Sequence, residues 1–340
     1  MISEFGFSVD ALRAYLRGKL PELKGEMRLE RIGGGQSNPT FFVTFDQGLR
    51  LVLRKQPPGE LLKSAHAVDR EFRILRALEP TPVPVPQTLF YCEEHEIIGT
   101  PFYVMERLEG RVMSDYALTE IPAQERAIYL FALAETLAQL HSVDWMSAGL
   151  SDYGKPGNFF ERQIARWTRQ WGSSKTSENS HIDLLIEWLP EHIPAGDETT
   201  IAHGDFRLGN VMFHPKEPRV IAVLDWELST LGHPLADVAY SSMPWLVEPD
   251  AFEGLRGLDL AAQNLPTQAV YLAAYAEASG RRDPVLPFHH AFSLFRFAVI
   301  LEGIAARAKA GNAAGEDAVA IGRLSGRFAR YAAEIVAVDG

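Results

Sequence analysis

The residues best suited to chemistry lie in His203-Gly204-Asp205-Phe206-Arg207-Leu208-Gly209-Asn210 and in Leu224-Asp225-Trp226-Glu227. An aspartate is followed by an asparagine five positions on, and a second aspartate closes an apolar run. One carboxylate can align a substrate hydroxyl and accept its proton. An amide oxygen and a second carboxylate are hard oxygen donors that suit magnesium held against nucleotide phosphates. Together they point to phosphoryl transfer to an alcohol.

The elements that must position these groups can be read from periodicity. Residues 8–20 read as an amphipathic helix with Ser8 as N-cap and Val9, Leu12, Leu16 and Leu20 near one face. Thr40 to Phe45 and Leu49 to Arg54 flank Asp46-Gln47-Gly48, which predicts a β-hairpin. A helix is expected over 64–79, with Val68, Phe72, Leu75 and Leu78 at helical spacing. Pro80, Pro82, Pro84 and Pro86 forbid helix and imply an extended linker. Strands are expected at 87–92 and 101–108. Beyond Gly110 long helices dominate, at about 122–143, 158–171, 181–193, 234–247, 266–279, 288–310 and 315–337, interrupted by short strands at 211–214 and 220–224. This order predicts an α+β chain: a small sheet-containing lobe over 1–107 and a larger helical lobe over 108–340.

These motifs resemble the aminoglycoside phosphotransferase family, a branch of the protein-kinase-like fold. The resemblance runs over roughly residues 25–305. More narrowly, Val52 to Gly59 and Ser64 to Glu71 look like the kinase-like module of acyl-CoA dehydrogenase fusion proteins. The resemblance implies a bilobal fold that binds ATP and magnesium between its lobes. Asp205 would be the catalytic base. Asn210 and Asp225 would hold the metal. Arg207 would neutralise phosphate or pair with a carboxylate. Gly34, Gly35, Ser37 and Asn38, within the loop Gly33 to Asn38, would donate to phosphate oxygens. That loop matches neither the Walker pattern nor the protein-kinase Gly-x-Gly-x-x-Gly. Strand alternation puts Val52 and Arg54 on one face and Leu53 and Lys55 on the other. Val52 would touch adenine. Arg54 would replace the phosphate-pairing lysine usual among relatives, with Glu71 as its ion-pair partner; Lys55 is the alternative. Met105, Glu106 and Leu108 belong to the inter-lobe connector, whose backbone would read the adenine edge. Asp237 would support the catalytic loop.

Other chemistries remain open at this level. His203, Asp205, His214 and His233 could form a metallohydrolase centre, but no helical His pair accompanies them and the glycine loop would be left without a role. His203 is instead read as packing inward to hold the loop. A nucleotide-binding module without catalysis is a second rival, against which the intact Asp205, Asn210 and Asp225 argue. The acceptor is read as a small-molecule hydroxyl, either a hydroxy acid or hydroxyacyl-CoA as the fusion resemblance suggests, or an aminoglycoside or other amino-alcohol. Trp167, Trp171, Trp245, His289 and Arg296 are candidates to line its site, although aromatics at helical spacing more often belong to a core.

The bulk numbers fit this picture. The 340 residues are 46% hydrophobic and 23% charged, with a net charge of −11. An acidic surface repels nucleic acid and anionic membrane, so neither is an expected partner. The one cysteine, Cys92, excludes an intrachain disulfide. The first residues lack a basic region followed by an apolar core, so a cytoplasmic location is expected.

Overall fold

The alternation in Thr40–Gln47 sends Phe41, Val43 and Phe45 to one buried face and leaves the residues between them half-buried. Residues with that period form a sheet with one covered face. A computed structural model describes residues 5–33, 38–58, 67–309 and 317–339. Its first half contains α1 (Val9–Lys19), β1 (Lys24–Arg31), β2 (Thr40–Gln47), β3 (Arg50–Lys55), α2 (Val68–Leu78), β4 (Thr88–Cys92), α3 (His95–Ile98) and β5 (Phe102–Glu106). The strands make an antiparallel sheet in the order β1-β2-β3-β5-β4. Gly48 turns the chain between β2 and β3 at φ +118°, a conformation that favours glycine, and a Cβ there would sit 3.1 Å from the Glu22 carbonyl.

The two faces of this sheet have different partners. Leu51, Leu53, Phe102 and Val104 pack with Leu12 and Leu16 of α1. Tyr103 faces the other way, in the core containing Val68, Ile74, Leu75 and Leu78 of α2. Strand β3 lies between β2 and β5, with Val52 opposite Met105 and Arg54 opposite Tyr103. The alternation expected for 52–55 is therefore what the sheet displays.

The second half holds β6 (Arg111–Val112), α4 (Ala123–His141), α5 (Phe159–Ser174), α6 (Ser180–Glu191), β7 (Thr200–Ala202), β8 (Val211–Phe213), β9 (Val220–Val223), β10 (Thr230–Gly232), α7 (Pro234–Ser241), α8 (Pro249–Phe252), α9 (Gln268–Ser279), α10 (Pro287–Lys309) and α11 (Asp317–Asp339). Leu130, Leu133, Leu137 and Leu140 of α4 are fully buried in the core that also takes residues from α2 and β5. A separate core joins α5, α6, α10 and α11. The helix expected over 234–247 ends at Ser241 and continues as a 3-10 turn over Met243–Leu246; Pro244, which lacks the N–H an α-helix would use, lies in that turn. The start of the helix expected from 64 and most of the loop Gly33 to Asn38 lie outside the described residues. Among the described residues, no helix is long and apolar enough to cross a membrane.

Candidate active site

Two short β-ladders set the geometry. In the first, Val211 of β8 pairs with Val223 of β9. The Leu224 N–H then donates to the Asn210 carbonyl at 2.8 Å, so Asn210 and Asp225 leave adjacent strand ends. In the second, β7 pairs with β10, and the chain leaves β7 through His203, Gly204 and Asp205. Gly204 adopts φ +81°, and a Cβ there would lie 2.7 Å from the Leu228 carbonyl. Glycine lets the loop pass against that backbone.

The loop is fastened from beneath. Asp237, buried in α7, accepts the His203 N–H at 2.6 Å and the Gly204 N–H at 2.9 Å. Burial pushes the Asp237 carboxyl up, but His141, His203 and the Gly204 amide outweigh it and hold it below the usual value. His203 Nε2 donates to the Leu224 carbonyl at 2.9 Å, and Nδ1 accepts the Asp205 N–H at 3.2 Å. His203 thus ties the two motifs together through backbone. His233 accepts the Leu235 N–H as the cap of α7, and His214 accepts from Lys216 and Glu217. Each of the three histidines is occupied locally, and among the described residues no group of three or more His, Cys, Asp and Glu is arranged to hold a metal.

Asp205 is held at both oxygens. The Tyr240 hydroxyl donates to Oδ1 at 2.5 Å, and Asn210 Nδ2 donates to Oδ2 at 2.7 Å and to the Asp205 carbonyl at 2.9 Å. Arg207 Nε lies 3.6 Å from Oδ1. Burial, reinforced by the Asp205 charge, raises the Tyr240 hydroxyl well above its usual value, so it remains a donor. Sequence alone does not mark Tyr240, which is one more residue of an apolar helical segment.

Arg54 comes down from β3 to meet this site. Its Nε lies 2.7 Å from Glu71 Oε2, and its Nη2 donates to Asp225 Oδ1 at 2.7 Å. Glu227 is 3.9 Å away. The Nε–H is not aimed at the Glu71 oxygen, so that contact is an ion pair rather than a directed hydrogen bond. Glu71 is 2% exposed and also accepts from Tyr103 at 3.1 Å and from Asn38 Nδ2. Burial pushes its carboxyl up against the pull of Arg54. Arg54 is driven the other way: burial would lower it, but Glu71 and Asp225 hold it above its usual value. Lys55 points to the opposite face, buried, with Nζ 5.2 Å from the Phe7 ring centroid. Burial lowers its amine. Of the two cations, Arg54 is the one that meets Asp225.

The remaining expected residues divide. Val52 is buried on the Arg54 face opposite Met105. Glu106 N–H donates to the Gln87 carbonyl and its carboxylate accepts the Gln87 N–H, which ties β5 to the segment before β4. Leu108 follows in the connector, half-buried. The Asn38 amide nitrogen donates to Glu71, the acid that pairs with Arg54. Gly34, Gly35 and Ser37 lie outside the described residues. Trp167 and Arg296 sit together, whereas Trp245 stacks on Tyr271 and His289 lines a separate cavity of about 520 Å³ with His233. Trp171 is buried in the second core.

The donor set fits magnesium. With Asn210 Nδ2 donating to Asp205, Oδ1 is the atom left to meet a cation, and Arg54 engages only one Asp225 oxygen. Asp225 sits in the left-handed region at φ +63°. Non-glycine residues are uncommon there and concentrate at functional sites.

A family model described as the phosphotransferase enzyme family (APH) matches residues 28–283. The chain belongs to that family. This phosphotransferase is 43% identical over 338 residues to mouse acyl-CoA dehydrogenase family member 10, covering 97% of this chain and 31% of the relative. It therefore spans less than a third of that relative's length. A crystal structure from Ralstonia eutropha JMP134, provisionally assigned as an aminoglycoside phosphotransferase, is 42% identical with a TM-score of 0.88, covering 97% of this chain and 98% of that one. A thermostable mutant of an aminoglycoside phosphotransferase, in ternary complex with AMP-PNP and hygromycin B, shares the fold at 16% identity and a TM-score of 0.60, covering 94% and 98% of the two chains. The phosphotransferase thus has the kinase-like α+β fold that its motifs implied.

Proposed function

We propose that this phosphotransferase moves the γ-phosphoryl group of ATP to a hydroxyl of a small molecule. The observation that carries the reading is the gathering of Asp205, Asn210 and Asp225 around adjacent strand ends, with Arg54 joining Asp225 to Glu71. Residues 1–107 would bind the nucleotide and 108–340 would supply the acceptor side. Val52 would contact adenine, and the backbone from Met105 to Leu108 would meet its polar edge. Asn210 Oδ1 and Asp225 would hold magnesium, which supplies charge neutralisation among the phosphates when bound. Arg54 would share its guanidinium between Glu71 and the phosphates.

In the reaction, the acceptor oxygen forms a bond to the γ-phosphorus as the bond to the β–γ bridging oxygen breaks. Asp205 takes the acceptor proton late in a loose transition state and passes it to solvent. ADP and a phosphate monoester result. Only a few residues separate Asp225 from Pro234, too few for a long activation loop, which favours a small molecule over a protein.

The alignment with an acyl-CoA dehydrogenase family member supports a hydroxy acid or hydroxyacyl-CoA as acceptor. Purified protein with ATP and magnesium should phosphorylate members of a hydroxy-compound library, and Asp205→Ala should abolish that turnover while retaining nucleotide binding. Turnover that survives in Asp205→Ala would refute the assignment of the base. Good activity on an amino-sugar with none on hydroxyacyl thioesters or hydroxy acids would refute the acceptor class.

A further inference from the structure

Arg166 and Arg296 share one indole. Their guanidinium carbons lie 5.1 Å and 5.6 Å from the Trp167 ring centroid. Arg296 is also 5.4 Å from the Tyr240 ring and donates to the Gly204 carbonyl at 2.5 Å. Tyr240 in turn donates to Asp205. Arg296 is therefore linked to the candidate base through both a side chain and the backbone, and Arg166 joins it at the Trp167 indole.

Among the described residues, no acid forms an ion pair with either member of this pair. Elsewhere in the molecule arginines meet carboxylates, as in Arg73 with Asp152, Arg281 with Glu198 and Arg327 with Asp250. Arg207, the other cation near the base, feels Asp205 and Glu253. Among the described residues neither Arg166 nor Arg296 is in an ion pair, and burial together with the Arg296 charge lowers Arg166. Two like charges held around one indole repel each other, and an anion that meets both removes that repulsion. The net charge of −11 makes such a local reversal of sign more selective. A guanidinium fork matches a carboxylate or phosphate with two parallel hydrogen bonds. A cationic amino-alcohol would be repelled at the same place.

We propose that Arg166 and Arg296, set on the Trp167 indole, bind an anionic group of the acceptor and so select alcohols that carry a carboxylate or phosphate. This rests on the phosphotransferase reading for what happens to the hydroxyl, but binding can be measured without turnover. Calorimetric titrations of the full chain and of Asp205→Asn would use three probe sets: hydroxy-carboxylates with their neutral amides, phosphorylated alcohols with their parent alcohols, and amino-alcohols. At least a tenfold preference for the anionic member of one of the first two pairs is expected, and the pair that shows it identifies the anion. Arg166→Gln, an exposed position, should reduce that ratio to near unity, and Arg296→Gln should do the same. A change that merely loosened the fold would weaken both members of a pair and leave the ratio intact. The proposal is overturned if neither anion is preferred, if amino-alcohols bind best, or if the preference persists in both variants. Loss of Asp205-dependent turnover with the preference intact would instead count against the kinase reading alone.

Discussion

Arg54 and Asp225, 171 positions apart, meet at 2.7 Å through Nη2 and Oδ1. The same guanidinium holds Glu71 at its Nε side, also at 2.7 Å. One planar fork thus joins the middle strand of the sheet, the helix beneath it and the loop that ends β9. A lysine ammonium is a single point of charge and cannot span two carboxylates in this way.

That difference can be measured. Arg54→Lys should lower kcat/KM for the nucleotide by roughly tenfold or more, about 1.4 kcal/mol of lost interaction in the transition state. Arg54→Ala should cost more in stability, roughly 3–5 kcal/mol, because Glu71 is left as a buried charge without its cation. Urea unfolding of Arg54→Ala, Glu71→Ala and the double variant would give the coupling directly. Additive losses would mean that the pair is not the joint described above.

Tyr240 and Asp205 give a second expectation. Tyr240→Phe removes one hydroxyl and leaves the ring against Phe297 and Arg296. A hydrogen bond to a charged group contributes roughly 1.5–3 kcal/mol, so kcat should fall by roughly ten- to a hundredfold. Nucleotide KM should stay within about twofold, since Tyr240 orients Asp205 whereas Arg54 pairs with Glu71 and Asp225. A parallel rise in nucleotide KM would show that the phenol supports the whole cleft instead.

Much of this arrangement was legible in the sequence because its parts are local. Asp205 and Asn210 share one loop, Asp225 ends an apolar strand, and the β2–β3 hairpin alternates cleanly. The strand Lys24–Arg31 was not legible, because it lies at the sheet edge and only Met27 in it is buried. Strands β6, β7 and β10 have two or three residues each and exist only because a distant partner pairs with them. Tyr240 is 35 positions from the carboxylate it serves, and nothing in its local sequence marks that contact. The aromatic residues divide between cores for a related reason. Helical spacing places a tryptophan on a buried face but does not say in which core, and Trp245 lies in a different core from Trp167.

Asp237 offers a test of the loop's foundation. Its two oxygens accept two adjacent backbone N–H groups. An amide has only one acceptor oxygen, so Asp237→Asn should leave a buried donor unsatisfied at a cost of roughly 1–3 kcal/mol. Activity should fall further than stability alone explains, because the freed Gly204 N–H precedes Asp205. The folded-state value of Asp237 is depressed, so its contribution is present above the unfolded value of 3.8 and is lost as pH falls through the lower folded value. Denaturant titrations below pH 4 should therefore show a shallower acid-induced loss in Asp237→Asn than in the wild type. Curves of equal slope would remove Asp237 from the account of acid sensitivity.

His290 sets the stability at milder acidity. Burial lowers it from 6.5 to about 4, and its Nδ1 has no hydrogen-bond partner among the described residues. His289 is lowered to about 3 by burial and by the charges of its neighbours His233 and His290. A depressed histidine stays neutral in the folded protein while the unfolded chain takes up a proton, so stability falls as pH drops below about 6.5 and continues to fall until the folded value is reached. For His290 the window runs from pH 6.5 down to about 4, and the loss across it is on the order of 3 kcal/mol. His290→Gln has no proton to gain in that window and should flatten the curve of unfolding free energy against pH by about that amount. His289→Gln should extend the flattening toward pH 3. If both variants track the wild type between pH 6.5 and 4, these imidazoles are protonated in the folded protein, and the packing of α10 around them differs from that described here.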